Sequence, residues 1–166
     1  MTLDAFFDGL GEMSNLSAKE GFNFVVGPSY CMSALCYSIF KLDVYTTCCH
    51  ECVYCYSRGV RRREPSPRII TVGKAFLRFV RALRELGLTP VMRMSALTDP
   101  FQPAERRGRA ALKALKLCER ASIPLVINTK GTLIAESPWL DAVLRLADRG
   151  LVIVQFSIAF HDRDAR

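Results

Sequence analysis

The chain has 166 residues, half of them hydrophobic, which predicts one globular domain with a substantial core. Its 23 Lys and Arg residues outnumber 16 Asp and Glu residues, giving a net charge of +7. No apolar run reaches the roughly 18 residues of a membrane-spanning helix, and residues 1–10 lack the basic start of a secretory signal. We therefore expect a cytoplasmic protein with no membrane partner.

The charge is unevenly distributed along the chain. Residues 1–40 hold one Lys and four acids, a net −3, so residues 41–166 hold 22 basic and 12 acidic residues, a net +10. A body this basic suits an anionic partner such as nucleic acid, although a solvated Arg-rich surface has the same composition. The segment Arg58–Arg68 carries five Arg, enough to hold phosphate groups.

Helices and strands are predicted to alternate after an irregular lead-in over residues 1–35. The core domain, 36–166, begins with a β-prone run at 41–46 that leads directly to a group of cysteines. Apolar spacing then predicts three helices, from a cap at Thr71 to Gly87, from Pro103 through Cys118, and from Ser137 to Gly150. Strands are predicted at 88–96, 124–129 and 151–159, the last of them buried.

This alternation predicts an α/β fold with a parallel sheet. In such sheets the carboxyl ends of the strands meet at one edge, where functional sites form. The sequence places polar residues at each predicted strand end: Thr46, Thr98 with Asp99, Asn128 to Lys130, and Gln155 with Ser157. A site at this edge is therefore expected.

Four of the seven cysteines lie between Cys48 and Cys55. The crowding and the odd count disfavour a disulfide framework, and clustered thiols in a reducing compartment indicate a metal or catalytic site. Cys48, Cys52 and Cys55 have the spacing C-x3-C-x2-C. Three thiolates can hold an iron–sulfur cluster and leave one iron open to a substrate or cofactor.

A zinc site is the alternative interpretation of these cysteines. Closed zinc sites take four protein ligands, and the fourth could be Cys49, His50, Cys31 or Cys36. Cys49 and His50 lie between two other ligands, where tetrahedral geometry is awkward. We interpret Cys49 as a bystander, His50 as a loop residue, and the apolar-face Cys118 as part of the core.

The run Cys48–Tyr56, followed by Thr98–Glu105, Asn128–Lys130 and Gln155–Ile158, resembles the spore photoproduct lyase branch (the DNA repair photolyase type) of radical SAM enzymes. The resemblance extends from about Cys36 to Arg166, with the motifs in the family's order. It implies a partial (βα) barrel of which about four βα units are present, so the chain looks truncated at its C-terminus.

The same resemblance implies an enzyme with two cofactors. Cys48, Cys52 and Cys55 would hold a [4Fe–4S] cluster, and S-adenosylmethionine would bind the fourth iron. A flavodoxin- or ferredoxin-like electron donor would reduce the cluster, and the resulting 5′-deoxyadenosyl radical would abstract hydrogen from a substrate. The sequence leaves that substrate unidentified, with nucleic acid as the candidate.

The resemblance also implies a set of residues that bind S-adenosylmethionine. They are Tyr54 near the adenine, Tyr56 near the cofactor, Thr98 and Asp99 on the amino group or ribose, Lys130 on the carboxylate, and Ser157 as a further contact. Each has a structural alternative. The tyrosines could pack around the cluster, Thr98 and Asp99 could form a turn, Lys130 could be a solvated surface residue, and Ser157 could hydrogen-bond to a neighbouring backbone group.

One departure from the family leaves the catalytic residue unassigned. Spore photoproduct lyase has a hydrogen-donating cysteine just before its Thr/Ser-Asp segment, whereas this chain has Ser95, Ala96 and Leu97. Repair of a thymine photoproduct by that route is therefore not expected. The alternative functions are a non-catalytic basic module that binds nucleic acid and is stabilised by zinc or a cluster, and an inactive fragment whose last strand is an open edge.

Overall fold

A computed structural model of the protein describes residues 40–59, 64–70, 72–94 and 96–158. Several sequence-based predictions lie outside these residues: the lead-in at 1–35, Cys31 and Cys36, the cap at Thr71, and part of the Arg-rich segment.

Four short strands form one parallel sheet in the described part of the chain. They are β1 (Phe40–Leu42), β2 (Met92–Met94), β3 (Leu125–Thr129) and β4 (Val152–Phe156). Their order across the sheet is the order of the sequence, and all three pairings are parallel. The predicted α/β class with a parallel sheet is therefore confirmed.

The helices connect successive strands, as predicted. They are α1 (Lys74–Glu85), α2 (Glu105–Gly108), α3 (Ala110–Ala121) and α4 (Trp139–Ala147), with 3-10 turns at Tyr56–Gly59 and Thr132–Ala135. Gly87 and Gly150, with φ of +74° and +65°, follow α1 and α4 as expected of C-terminal stops.

The single helix predicted from Pro103 is instead divided into α2 and α3. Arg109 interrupts it with a left-handed φ of +49°. The carboxylate of Glu105 then accepts hydrogen bonds from the backbone N–H groups of Ala111 and Leu112, both at 3.0 Å. A carboxylate on these N–H groups caps the start of α3, which is why the chain restarts the helix there.

One face of the sheet carries the hydrophobic core. Alternate strand residues, such as Phe40, Met92 and Ile127, are buried together with apolar residues of α1, α3 and α4. The rings of Phe40 and Phe79 meet edge to face with centroids 5.5 Å apart, which joins β1 to α1. Cys118 is fully buried in this cluster, as predicted, and burial raises the pKa of its thiol to about 12.

The other face of the sheet is more polar. It carries the alternate residues of each strand, which include Lys41, Arg93, Asn128 and Gln155. Val126 also lies on this face, since it is buried but does not belong to the core cluster. Helices thus cover one side of the sheet, while the second side presents polar groups.

The prediction that the last strand is buried is wrong. β4 exists, but the side chains of Ile153 and Phe156 are 55% and 59% exposed. Within the described residues β4 pairs only with β3, so it lies at an edge and has neighbours on one side.

Among those same residues, no helix is long and apolar enough to cross a membrane.

Candidate functional site

The cysteine loop meets the end of β3 at the carboxyl edge of the sheet. The loop follows β1, and Lys130 follows β3 directly. The Lys130 Nζ lies 3.1 Å from the Cys52 Sγ and 3.1 Å from the Tyr54 hydroxyl oxygen, and 4.8 Å from the centroid of the Tyr54 ring. The strand ends converge as predicted, and the contact between Cys52 and Lys130 joins residues 78 positions apart in the sequence.

The Lys130 ammonium is held in its charged form by these neighbours. Partial burial alone would lower the pKa of Lys130, but hydrogen bonds to Tyr54 and Cys52 outweigh it and raise the pKa above its ordinary value. A cation therefore sits at the rim of the cysteine loop at neutral pH. It can pair with an anionic group of a ligand there.

The three predicted ligand cysteines share one environment. Cys48, Cys52 and Cys55 are half-buried thiols, whereas Cys49 is exposed. The Cys55 Sγ lies 3.0 Å from the Ser57 Oγ. Burial raises the pKa of the Cys48 thiol above its ordinary value, so this thiol is protonated at neutral pH.

The described cysteines of the loop are not grouped around one metal-ion position. Within the ranges that the structure covers, no three His, Cys, Asp or Glu side chains are arranged to hold one metal ion. Thiolates on one zinc must each lie about 2.3 Å from it. A cluster instead binds each thiolate through a different iron, so its ligands stand farther apart. Cys48, Cys52 and Cys55 are three half-buried thiols within eight residues.

Asp99 connects the ends of β2 and β3. Its buried carboxylate accepts hydrogen bonds from the Thr129 hydroxyl at 2.7 Å, the Lys130 N–H at 2.8 Å and the Phe101 N–H at 2.9 Å. The His50 Nε2 lies 3.6 Å from the same carboxylate, too far for a hydrogen bond. Asp99 thereby orients Lys130, and its predicted contact with a cofactor stays a prediction.

Thr98 is also tied into the protein. Its backbone N–H and its hydroxyl both donate to Asp43 Oδ1, at 3.1 and 3.0 Å, and the Leu97 N–H donates to the same atom at 3.0 Å. The buried Asp43 follows β1, so this contact joins the ends of β1 and β2. The structure places Thr98 at the predicted edge, with its hydroxyl directed at Asp43.

The two tyrosines of the loop lie at the surface. The side chains of Tyr54 and Tyr56 are 55% and 67% exposed, and the Tyr56 hydroxyl donates to the Ala96 carbonyl. Exposed rings are accessible to a ligand at this edge. Ser157 is exposed after β4, where its N–H donates to the Thr129 carbonyl at 2.8 Å.

Gln102 is a site residue that the sequence analysis did not single out. Its fully buried amide accepts a hydrogen bond from the Cys49 N–H at 2.8 Å and donates one to the Thr47 carbonyl at 3.1 Å. The two bonds bracket Cys48. Gln102 thus holds the backbone of the cysteine loop, and its position in the Thr98–Glu105 motif was the available signal.

The sequence analysis also did not single out Glu105, the last residue of the Thr98–Glu105 motif. Its fully buried carboxylate accepts hydrogen bonds from the Tyr45 hydroxyl at 2.5 Å and the Trp139 indole N–H at 2.7 Å, besides the two from α3. Burial and the bond to Glu105 raise the pKa of Tyr45 above its usual range. The network fixes the strand end that leads into the cysteine loop.

The Arg-rich segment is only partly described. Of its five guanidinium groups, the structure describes that of Arg68, which pairs with Glu64 at 2.6 Å. Glu64 also accepts a hydrogen bond from the Thr46 hydroxyl at 2.6 Å. Arg68 therefore helps to hold its segment beside the start of the cysteine loop.

Gly131, next to Lys130, lies so close to the backbone of Phe101 that a substitution there is expected to be destabilising. A methyl group at Gly131 would press into the backbone carbonyl of Phe101, whereas one at Gly59 would meet nothing within 4 Å. We expect Gly131→Ala to lower the free energy of unfolding by about 1–3 kcal/mol because the backbone must shift. Urea denaturation measures this, with Gly59→Ala as control, and equal stabilities of the two variants would contradict it.

Comparison with known proteins gave no match to any family model, to any curated protein or to any solved structure.

Proposed function

We propose that the protein is a radical SAM enzyme, in which Cys48, Cys52 and Cys55 hold a [4Fe–4S] cluster and S-adenosylmethionine binds beside it. The observation that supports this most strongly is the convergence of three half-buried thiols with the Lys130 ammonium at the carboxyl edge of a parallel sheet. Sites of α/β proteins form at this edge. A cluster with three protein ligands leaves one iron open to a cofactor.

The topology supports a partial (βα) barrel. The strands follow one another across the sheet in sequence order, without the reversal that marks a doubly wound fold. The helices pack on one face, as they do outside a barrel. The polar second face then corresponds to the inside of the barrel.

The residues of the edge have distinct tasks in this proposal. S-adenosylmethionine bound at a reduced cluster would supply the chemistry for hydrogen abstraction from a substrate. Lys130 would pair with the carboxylate of the cofactor, and Asp99 holds the Lys130 backbone N–H at 2.8 Å. The exposed ring of Tyr54 would stack on the adenine. Gln102 holds the loop that carries Cys48.

Two partners belong to the proposal. Reduction of the cluster requires an external one-electron donor of the flavodoxin or ferredoxin type. The net charge of +7 favours an anionic substrate, and nucleic acid is the candidate class. Without a cysteine at positions 95 to 97, hydrogen return by the route of spore photoproduct lyase is not proposed.

Anaerobic reconstitution with iron and sulfide tests the proposal. We expect about four iron atoms per chain, and formation of 5′-deoxyadenosine when dithionite and S-adenosylmethionine are added. Cys48→Ser, Cys52→Ser and Cys55→Ser should each abolish both results, because each removes a ligand. Cys49→Ser, at the exposed neighbouring cysteine, is the matched control and should retain them.

The alternative functions give different results in the same experiment. About one zinc per chain, no iron and salt-sensitive binding of nucleic acid would indicate a basic binding module instead. Iron loss in the Cys49→Ser variant equal to that in the other three would refute the ligand assignment.

A further inference from the structure

An uncharged apolar surface lies along β4, at the edge of the described sheet. From Leu151 to Ala159 the sequence has no charged residue and no proline. Ile153 and Phe156 of β4 are more than half exposed, and so is Ile158, which follows the strand. Proteins usually protect an edge strand with charges, with prolines or with a covering element. The first two of these protections are absent from this stretch, so a covering element is expected.

The helix α4 continues this apolar surface beyond the sheet. Its Arg145 donates a hydrogen bond to Glu119 of α3 at 3.1 Å, which identifies the side of α4 that faces α3. With 3.6 residues per turn, Leu140 and Leu144 lie on the side away from α3, and both are exposed. Because α4 contacts β4, the last strand of the described sheet, this side of the helix faces the edge.

Phe156 connects the helix with the strand. Side chains alternate along β4, so Phe156 shares a face with Val152 and Val154, which pack against the core that the helices cover. Ile153 lies on the opposite face of the strand. We call the five exposed residues together the edge band: Leu140, Leu144, Ile153, Phe156 and Ile158. A contiguous apolar patch of this kind marks an interaction surface.

Charge indicates which partner fits the edge band. The chain has a net charge of +7, so two copies repel each other over much of their surfaces. The edge band avoids this repulsion because none of its five side chains is charged. A nucleic acid would find no cation there for its phosphates. A second copy of the chain instead offers the same uncharged side chains.

The layers of the edge band also match those of a second copy. The band has a helix layer, Leu140 and Leu144, beside a strand layer formed by β4. A two-fold axis perpendicular to the sheet would bring α4 against α4 and β4 beside β4 of the two copies. Such an interface uses the same patch on both subunits, which is the commonest arrangement in soluble oligomers.

We propose that the protein forms a homodimer in solution through the edge band, with two-fold symmetry. The band spans one short strand and one helix, so the interface is small, and we expect a dissociation constant of roughly 1–100 µM. The inference does not depend on the proposed function, because no residue of the edge band is assigned to the cluster or to S-adenosylmethionine.

Sedimentation velocity of the full metal-free chain tests the proposal, at concentrations below and above this range and with a thiol reductant to prevent disulfides between copies. We expect the average mass to rise from one chain to two. Leu144→Glu and Ile153→Glu should each raise the dissociation constant at least about 10-fold, because each would bring two negative charges together in an apolar interface.

Leu86→Glu is the matched control. It makes the same substitution at a leucine of similar exposure, 53% against 51% for Leu144. Leu86 follows α1, at the far end of the domain from β4. This variant should dimerise as the parent does, and at concentrations where all chains are monomeric its melting temperature should equal that of Leu144→Glu.

Two results would overturn the inference. The first is a parent chain that stays monomeric at all concentrations. In that case a lower melting temperature of Leu144→Glu than of Leu86→Glu would indicate that another segment of the same chain covers the edge band, and equal melting temperatures would indicate that the band is left uncovered. The second is an association that Leu144→Glu and Leu86→Glu weaken equally, which would place the interface elsewhere. Failure of cluster reconstitution affects neither result, since this experiment contains no iron.

Discussion

Replacing Glu105 by Ala is expected to lower the free energy of unfolding by roughly 3–5 kcal/mol. Four donors around this fully buried carboxylate lose their acceptor, and each unsatisfied buried group costs about 1–3 kcal/mol. Urea denaturation at neutral pH measures the change.

Two further variants separate this network from a general effect of charge removal. Tyr45→Phe removes one donor and should cost about 1 kcal/mol, whereas Glu85→Ala, at an exposed position of α1, should change stability by no more than about 0.5 kcal/mol. A Glu105→Ala variant as stable as Glu85→Ala would show that the network does not hold the fold. We therefore expect the loss of stability to be largest in Glu105→Ala, smaller in Tyr45→Phe and smallest in Glu85→Ala.

Replacing Gln102 by Leu is expected to loosen the cysteine loop while the sheet stays folded. The Cys49 N–H loses its acceptor and the Thr47 carbonyl its donor. Hydrogen exchange of the Cys49 amide should accelerate about 5-fold, since a hydrogen bond contributes about 1 kcal/mol and its loss exposes the amide to local opening. Amide exchange by NMR on the metal-free chain measures this directly.

A conservative variant distinguishes the effect of the Gln102 hydrogen bonds on the cysteine loop from the effect of the packing of its side chain. Gln102→Glu keeps an acceptor for the Cys49 N–H but loses the donor to Thr47, so its exchange rate should lie between those of the parent and Gln102→Leu. Gln155→Leu, at an exposed position of β4, is the matched control and should leave the rate unchanged. An unchanged exchange rate of the Cys49 amide in Gln102→Leu would show that Gln102 does not hold the cysteine loop. If the cluster forms, it should be lost fastest from Gln102→Leu.

The local patterns of the sequence predicted most of the element order. Apolar residues at helical spacing predicted α1 and α4, and the glycines that end them have the expected positive φ. Runs of β-branched residues predicted β3. These signals work because a helix or a strand is decided by residues a few positions apart.

The site was predicted in part, for the same reason. The three cysteines lie within eight residues, so their spacing is visible without any fold. Thr98, Asp99 and Lys130 were placed at strand ends by the alternation of elements, and the structure brings them to one edge. Gln102 and Glu105 were missed, because their partners are 53 and 60 residues away.

The parallel α/β class, the order of the elements and the cysteine spacing followed from the sequence alone, since each depends on local composition and period. The three-dimensional structure was needed to show that Arg109 divides a helix, that the side chains of Ile153 and Phe156 in β4 are exposed, and that Lys41 is the register partner of Arg93. Strand register and long-range hydrogen bonds depend on which segments pair in space. The sequence therefore identified the thiols, and the fold showed what holds them in place.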